Sequence, residues 1–184
     1  MSEAVGVIVA AIIAGLVAFL SLIISKEQSV SDFRQQWIDE LRKDIAAVVA
    51  CVSNIQGSSI AKGKEDQEQL WASAKRDLTH FNEVIARIRL RLNPEEKRKK
   101  EGPATQAVLG ALKGLESAFA SPVPQFHKLQ PLVTMLVTDA QVILKENWER
   151  VRSGEYVYQL TKWIALGLTV AVAIASLLHV LKVI

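Results

Sequence analysis

Two long, nearly uncharged apolar runs, one near each end of the chain, limit its possible folds more than any other feature. Gly6 to Ile24 reads GVIVAAIIAGLVAFLSLII, and Trp163 to Ile184 reads WIALGLTVAVAIASLLHVLKVI, with only His179 and Lys182 as interruptions. At about 1.5 Å of rise per residue, a helix over either run reaches roughly 30 Å, the thickness of a bilayer's hydrocarbon core. Neither run carries the polar stripe of a helix on the surface of a soluble domain. Both are expected to be transmembrane helices. The first has no basic n-region and no A-x-A site, so a retained anchor is expected in place of a cleaved signal peptide.

Charge sets the expected orientation. Of the 22 Lys and Arg residues, all but Lys182 lie between the two runs, with Lys26, Arg34, Arg150, Arg152 and Lys162 near their inner ends. By the positive-inside rule the middle is cytoplasmic and both termini face out. The formal net charge of +3 follows from this asymmetry and calls for no nucleic-acid ligand. A single Cys51 suits a reducing cytoplasm and excludes an internal disulfide framework. The expected division is an N-terminal span in residues 1–25, a cytoplasmic domain in 26–155 and a C-terminal span in 156–184.

The middle segment is patterned for helices. Apolar residues recur at Val30, Phe33, Trp37, Leu41, Ile45, Val48 and Val52, then at Leu70, Ala74, Leu78, Phe81, Ile85, Ile88 and Leu92, at the three- and four-residue steps of a helix face. Gly57, Ser58, Ser59 and Gly63 mark a turn between them. A fold-back there sets Trp37 opposite Ile85 and Leu41 opposite Phe81. Asn93, Pro94, Glu95 and Glu96 suit the start of a third helix, which Gly102-Pro103 then breaks or kinks before Val108, Leu112, Leu115 and Phe119. After a turn at 121–125, a fourth stripe runs from Leu129 through Leu136, Ala140 and Ile143 to Trp148 and Val151, with Leu115 near Leu132 and Val108 near Ala140. The expected fold is all-α: two transmembrane helices flanking an antiparallel up-down four-helix bundle, with Phe33, Trp37, Leu41, Phe81, Ile85 and Trp148 in its core. That connectivity turns residues 93–102 toward the bilayer.

Several features invite functional readings. Lys97, Arg98, Lys99 and Lys100 form the one dense basic run, expected to meet anionic lipid, with a solvated loop as the alternative. Ala10, Ala14 and Ala18 in the first span and Gly167, Ala171 and Ala175 in the second make small-residue stripes that let helices approach closely, within one chain or between copies. Gly110 and Gly114 suggest a close crossing in the bundle. Tyr156, Tyr158 and Trp163 sit where an interfacial aromatic belt belongs, and His179 and Lys182 within snorkelling reach of the outer headgroups. Ser29 and Asp32, with Ser153-Gly154, suggest a helix break at each span-to-bundle junction; two continuous helices are the alternative. His80 and His127 are isolated, and no phosphate loop, HExxH, CxxC or GxSxG pattern occurs, so no enzyme, metal site or cofactor is expected.

FRQQWIDELRKDIA (33–46), RLRLNPEE (89–96) and AQVILKENWERVRSGE (140–155) resemble blocks in a widespread group of small bacterial and prophage membrane proteins. The inserted EKRKKEGPATQ, residues 96–106, departs from that group's pattern. Some two-span proteins of this design accompany antiviral defence systems as effectors that damage the host's own membrane. The resemblance thus implies a non-enzymatic protein whose bundle senses a partner or signal and alters the packing or assembly of its spans. A passive tether that recruits a cytoplasmic complex is the alternative. An ion channel is a third possibility, although the spans offer few polar residues to line a pore. The expected partners are membrane lipid and either further copies of the chain or a cytoplasmic protein.

Overall fold

The computed structural model describes residues 2–60, 67–120, 126–153 and 156–183. Among them lie five helices and no strand: α1 Ser2–Ile60, α2 Gln67–Arg91, α3 Glu101–Ala120, α4 Phe126–Ser153 and α5 Tyr156–Val183. The chain divides into a central unit, Gln36–Glu149, and a terminal unit made of Met1–Gln35 and Arg150–Ile184. These borders lie inward of the expected ones at residues 26 and 155. The expected turn at 121–125, Gly154, and the side chains of Leu70, Ala74, Tyr156, Tyr158, Ala175, His179 and Lys182 lie outside the described residues.

The central unit is a helical bundle with one apolar core. From α1 it takes Leu41, Ile45, Val48 and Val52, from α2 Phe81, Val84, Ile85 and Ile88, from α3 Val108, Leu112 and Leu115, and from α4 Leu129, Leu136 and Ile143. Each set recurs at three- and four-residue steps, so each helix buries one face. Phe81 and Phe119 meet edge to face with ring centroids 5.2 Å apart. Burying a side chain of this size contributes about 2 kcal/mol, and a core drawn from four helices suffices to hold the unit together.

The register of α3 against α4 agrees with the apolar matching: Lys100 meets Glu146, Glu101 meets Asn147, and Gly114 lies against Leu132. That of α1 against α2 does not. Glu40 faces Arg91 and Asp44 faces Arg87, whereas the expected pairing set Leu41 opposite Phe81. The offset exceeds two helical turns. Its cause is at both ends of α1. Phe33 is 72% exposed and Val30 36% exposed, so the apolar stripe begins contributing to the core only near Trp37 and Ile38. At the other end α1 runs through Gly57, Ser58 and Ser59 to Ile60, because an exposed glycine costs a helix only about 1 kcal/mol and does not by itself end it.

Helix boundaries near Asn93 also differ from expectation. Residues 93–96 form a β-turn in which Glu96 N donates to Asn93 O (3.1 Å) and Glu95 N to Asn93 Oδ1 (3.0 Å). Asparagine followed by proline suits a turn as well as it suits a helix start, and no apolar stripe follows here for a helix to bury. The third helix starts instead at Glu101. Gly102-Pro103 forms its first turn, where proline's missing N–H costs nothing, and Gly102 N donates to Arg98 O at 2.8 Å. The proposed breaker is the initiator.

Ser29 Oγ donates to Ser25 O within unbroken α1, so the Ser29–Asp32 cap does not form; the expected break at Ser153-Gly154 reaches outside the described residues.

Glycine positions supply a direct check. A Cβ on Gly102 would collide with Glu96 O, while one on Gly110 meets nothing within 4 Å. Gly102→Ala is expected to destabilise the bundle by about 1–3 kcal/mol through overpacking, and Gly110→Ala to stabilise it by up to about 1 kcal/mol. Thermal unfolding of both variants measures the contrast.

Candidate functional site

The chemistry of the central unit is concentrated in four buried polar residues: Asp44, Glu101, Thr105 and Asn147. Each sits on its helix's apolar face. Asp44 follows Leu41 by three residues and precedes Val48 by four, Glu101 and Thr105 lead into Val108 and Leu112, and Asn147 follows Ile143 by four. A polar residue in register with an apolar stripe is the signal that could have found them. The stripe reading passed over them because it followed only hydrophobic residues. On α4 it selected Trp148, which is 50% exposed, while the adjacent Asn147 takes the buried position.

Asp44 is the centre of one cluster. Its carboxylate accepts from Arg87 Nε at 3.1 Å and pairs with Arg91 Nη1, and Arg91 reaches Glu40 at 3.4 Å. Glu40 also accepts from Lys43 at 3.0 Å, and this bond holds its carboxyl below the usual range, with the Lys43 charge adding to the effect. Two guanidiniums from α2 thereby neutralise a carboxylate buried on α1, the arrangement that makes a buried charge tolerable.

Glu101 is the centre of the second. It accepts from Asn147 Nδ2 at 3.0 Å and from Arg98 Nη1 at 3.2 Å, and Asn147 also donates to Ile143 O at 2.9 Å. Beside it Lys100 meets Glu146 at 3.0 Å, which raises the lysine's pKa. Gln106 Nε2 donates to Pro94 O, closing the connection between α2 and α3 onto α3.

Of the expected core residues, two are placed elsewhere, Phe33 and Trp148. All four residues of the basic run are exposed, but Arg98 is paired with Glu96 and Glu101 and Lys100 with Glu146, so within the run Lys97 and Lys99 carry the charge not engaged in ion pairs among the described residues. Ala10, Ala14, Ala18, Gly167 and Ala171 are all exposed. The side of α1 covered within the terminal unit is instead Leu16, Leu20, Ile23, Glu27, Ser31 and Arg34, nearly opposite the alanine stripe at 100° per residue. Of the expected core residues, Leu41, Phe81 and Ile85 are buried and Trp37 packs half-buried against the core, while Phe33 and Trp148 lie outside it.

Gly114 makes the close crossing suggested by the GxxxG pair, since a Cβ there would lie 2.8 Å from Leu132 Cδ2; Gly110 does not. His80 lies 3.6 Å from Glu83 on the surface. Among the described residues no group of three or more His, Cys, Asp or Glu side chains is placed to hold a metal ion.

No family model, no curated protein and no solved structure matches the chain.

The thiol of Cys51 is buried in the core, and burial raises its pKa, with the negative charge of Asp77 adding to the shift. A raised pKa leaves less thiolate near neutral pH, and the thiolate is the reactive form. Native protein at pH 7.5 is expected to react with iodoacetamide at least 10-fold more slowly than the denatured chain. Equal rates would place Cys51 outside the core.

Proposed function

We propose that the chain is a non-enzymatic bacterial inner-membrane protein with two spans, near residues 6–24 and 163–184. In this proposal both termini lie outside, and the bundle between the spans is cytoplasmic. The bundle receives a partner or signal and alters how the spans pack or assemble. The outcome proposed is damage to the host membrane during antiviral defence, the role implied by the sequence blocks at 33–46, 89–96 and 140–155.

One observation carries the membrane part. The most apolar window of α1, a helix long and apolar enough to cross a bilayer, has none of its residues buried by the chain. Val7 is 70% exposed, Phe19 56% and Leu22 70%. A core helix of a soluble domain would hide these side chains, since apolar surface left in water costs about 25 cal/mol per Å². On α5, Trp163, Ile164, Leu166, Leu168, Val170 and Ile174 are likewise exposed. Lipid is the solvent in which such surfaces are stable. The central unit has the opposite distribution: most of its large apolar side chains lie in the core, with Leu90, Met135 and Trp148 exposed.

A partner can act through the bundle only if it binds one arrangement more tightly than another. The exposed small residues offer the terminal unit a further contact face in lipid, where close backbone approach drives association.

Three measurements separate the parts of the proposal. Carbonate-washed membranes should retain the protein; release into the soluble fraction would end the membrane reading. In a Cys51→Ala background, cysteines placed at Gly57 and Pro122 should be shielded from an impermeant maleimide in spheroplasts, and labelling there would invert the topology. Induced expression should depolarise cells in a potential-dye assay, and Gly167→Leu with Ala171→Leu should blunt the effect, since both positions are exposed and tolerate bulk within the chain. An unchanged potential with retained membrane binding leaves a passive tether.

A further inference from the structure

The two polar clusters share a location. Arg87 and Arg91 close the C-terminal end of α2, Arg98, Lys100 and Glu101 open α3, and residues 92–100 join them. The helix ends that flank this connection hold α1 on one side, where Arg87 and Arg91 of α2 meet Asp44 and Glu40, and α4 on the other, where Glu101 of α3 and the adjoining Lys100 meet Asn147 and Glu146. Those are the two helices that leave the central unit, α1 toward Gln35 and α4 toward Arg150. The polar residues buried in the bundle therefore gather where its two exits are held. Toward the other end, Val52, Ile55, Phe81, Leu115, Ala118 and Leu129 are buried, and among the described residues there no charged side chain is buried with them.

We propose that the α2–α3 connection is a two-sided polar clamp on the outgoing helices, and that its release is the conformational change by which the bundle acts on the rest of the chain. It rests on the sensing role proposed above. The physical basis is an asymmetry in what holds each end. Apolar contacts at the far end are non-directional and keep the helices together through small displacements. A buried carboxylate between two guanidiniums is paired or it is not, and replacing such a set by apolar residues of similar volume commonly leaves a protein as stable or more so. An ionic set at this position thus adds a two-state element that packing alone does not supply. Because α1 is unbroken from Ser2 to Ile60, freeing Asp44 releases a helix whose backbone continues into the apolar run.

Hydrogen exchange on the full chain in detergent micelles tests the clamp. Asp44→Ala leaves Arg87 and Arg91 without their carboxylate, and amides in 38–47 should exchange at least 10-fold faster, while those in 112–118 keep their protection. Asn147→Ala should do the same for 101–106 and 143–149, and provides the test if Asp44→Ala fails to fold. The combined Asp44→Leu, Arg87→Met and Arg91→Met variant should fold with slower exchange in 38–47. Acceleration spread evenly over both ends, or none near the connection, would overturn the proposal.

The same variants in the depolarisation assay address the reading beneath it. Asp44→Ala should depolarise cells more than the parent and the apolar triple variant less. Should every chain leave the potential unchanged while exchange follows the expected pattern, the clamp stands and the effector role falls.

Discussion

A carboxylate buried on a helix must be met by a partner, and in this protein that requirement sets how the bundle is aligned. Asp44 lies on the inward face of α1, and the guanidiniums that satisfy it come from Arg87 and Arg91 of α2. Leu, Ile and Val can slide past one another by a turn at modest cost, because dispersion and apolar burial have little directional preference. An ion pair cannot slide: one turn of displacement leaves a charge unpaired in a low-dielectric interior, at a cost of about 3–5 kcal/mol. Alignment of α1 with α2 follows, and so does the position of the connection to α3, whose basic run is partly consumed in reaching Glu96, Glu101 and Glu146.

The two units solve the problem of apolar surface in opposite ways. The central unit hides most of it, Leu90, Met135 and Trp148 excepted, and its surface carries pairs such as Arg42–Asp39 and Arg89–Glu116. The terminal unit displays it. Two polar groups within the apolar runs are tied to the helix backbone, Ser21 donating to Val17 O and Thr169 to Ala165 O.

Legibility varied from helix to helix for physical reasons. The α3–α4 register could be read because Val108, Leu112 and Leu115 face a stripe with few alternatives and Gly114 needs a neighbour that fits it. The α1–α2 register could not, because matching hydrophobic residues from Val30 onward assumed that all of them face the bundle. Phe33 does not. Asn93-Pro94 and Gly102-Pro103 carry similar local signals, and the apolar stripe downstream of the second is what makes it the helix start. Trp148 was favoured over Asn147 by hydrophobicity, yet Asn147 has hydrogen-bond partners in Glu101 and Ile143 that let it be buried.

By itself the amino-acid order determined that the chain is helical, that its ends are apolar over spanning length and that its middle can bury one face of each helix, because periodicity and charge placement are local properties of a sequence. Which polar residues go inside, where α1 meets α2 and which side of the first apolar run is covered were decided only in the tertiary structure. The first two depend on partners distant in sequence: Asp44 on Arg87, and Glu101 on Asn147. A local pattern can propose a face, but burial of a charge is settled by whether its counterpart can reach it.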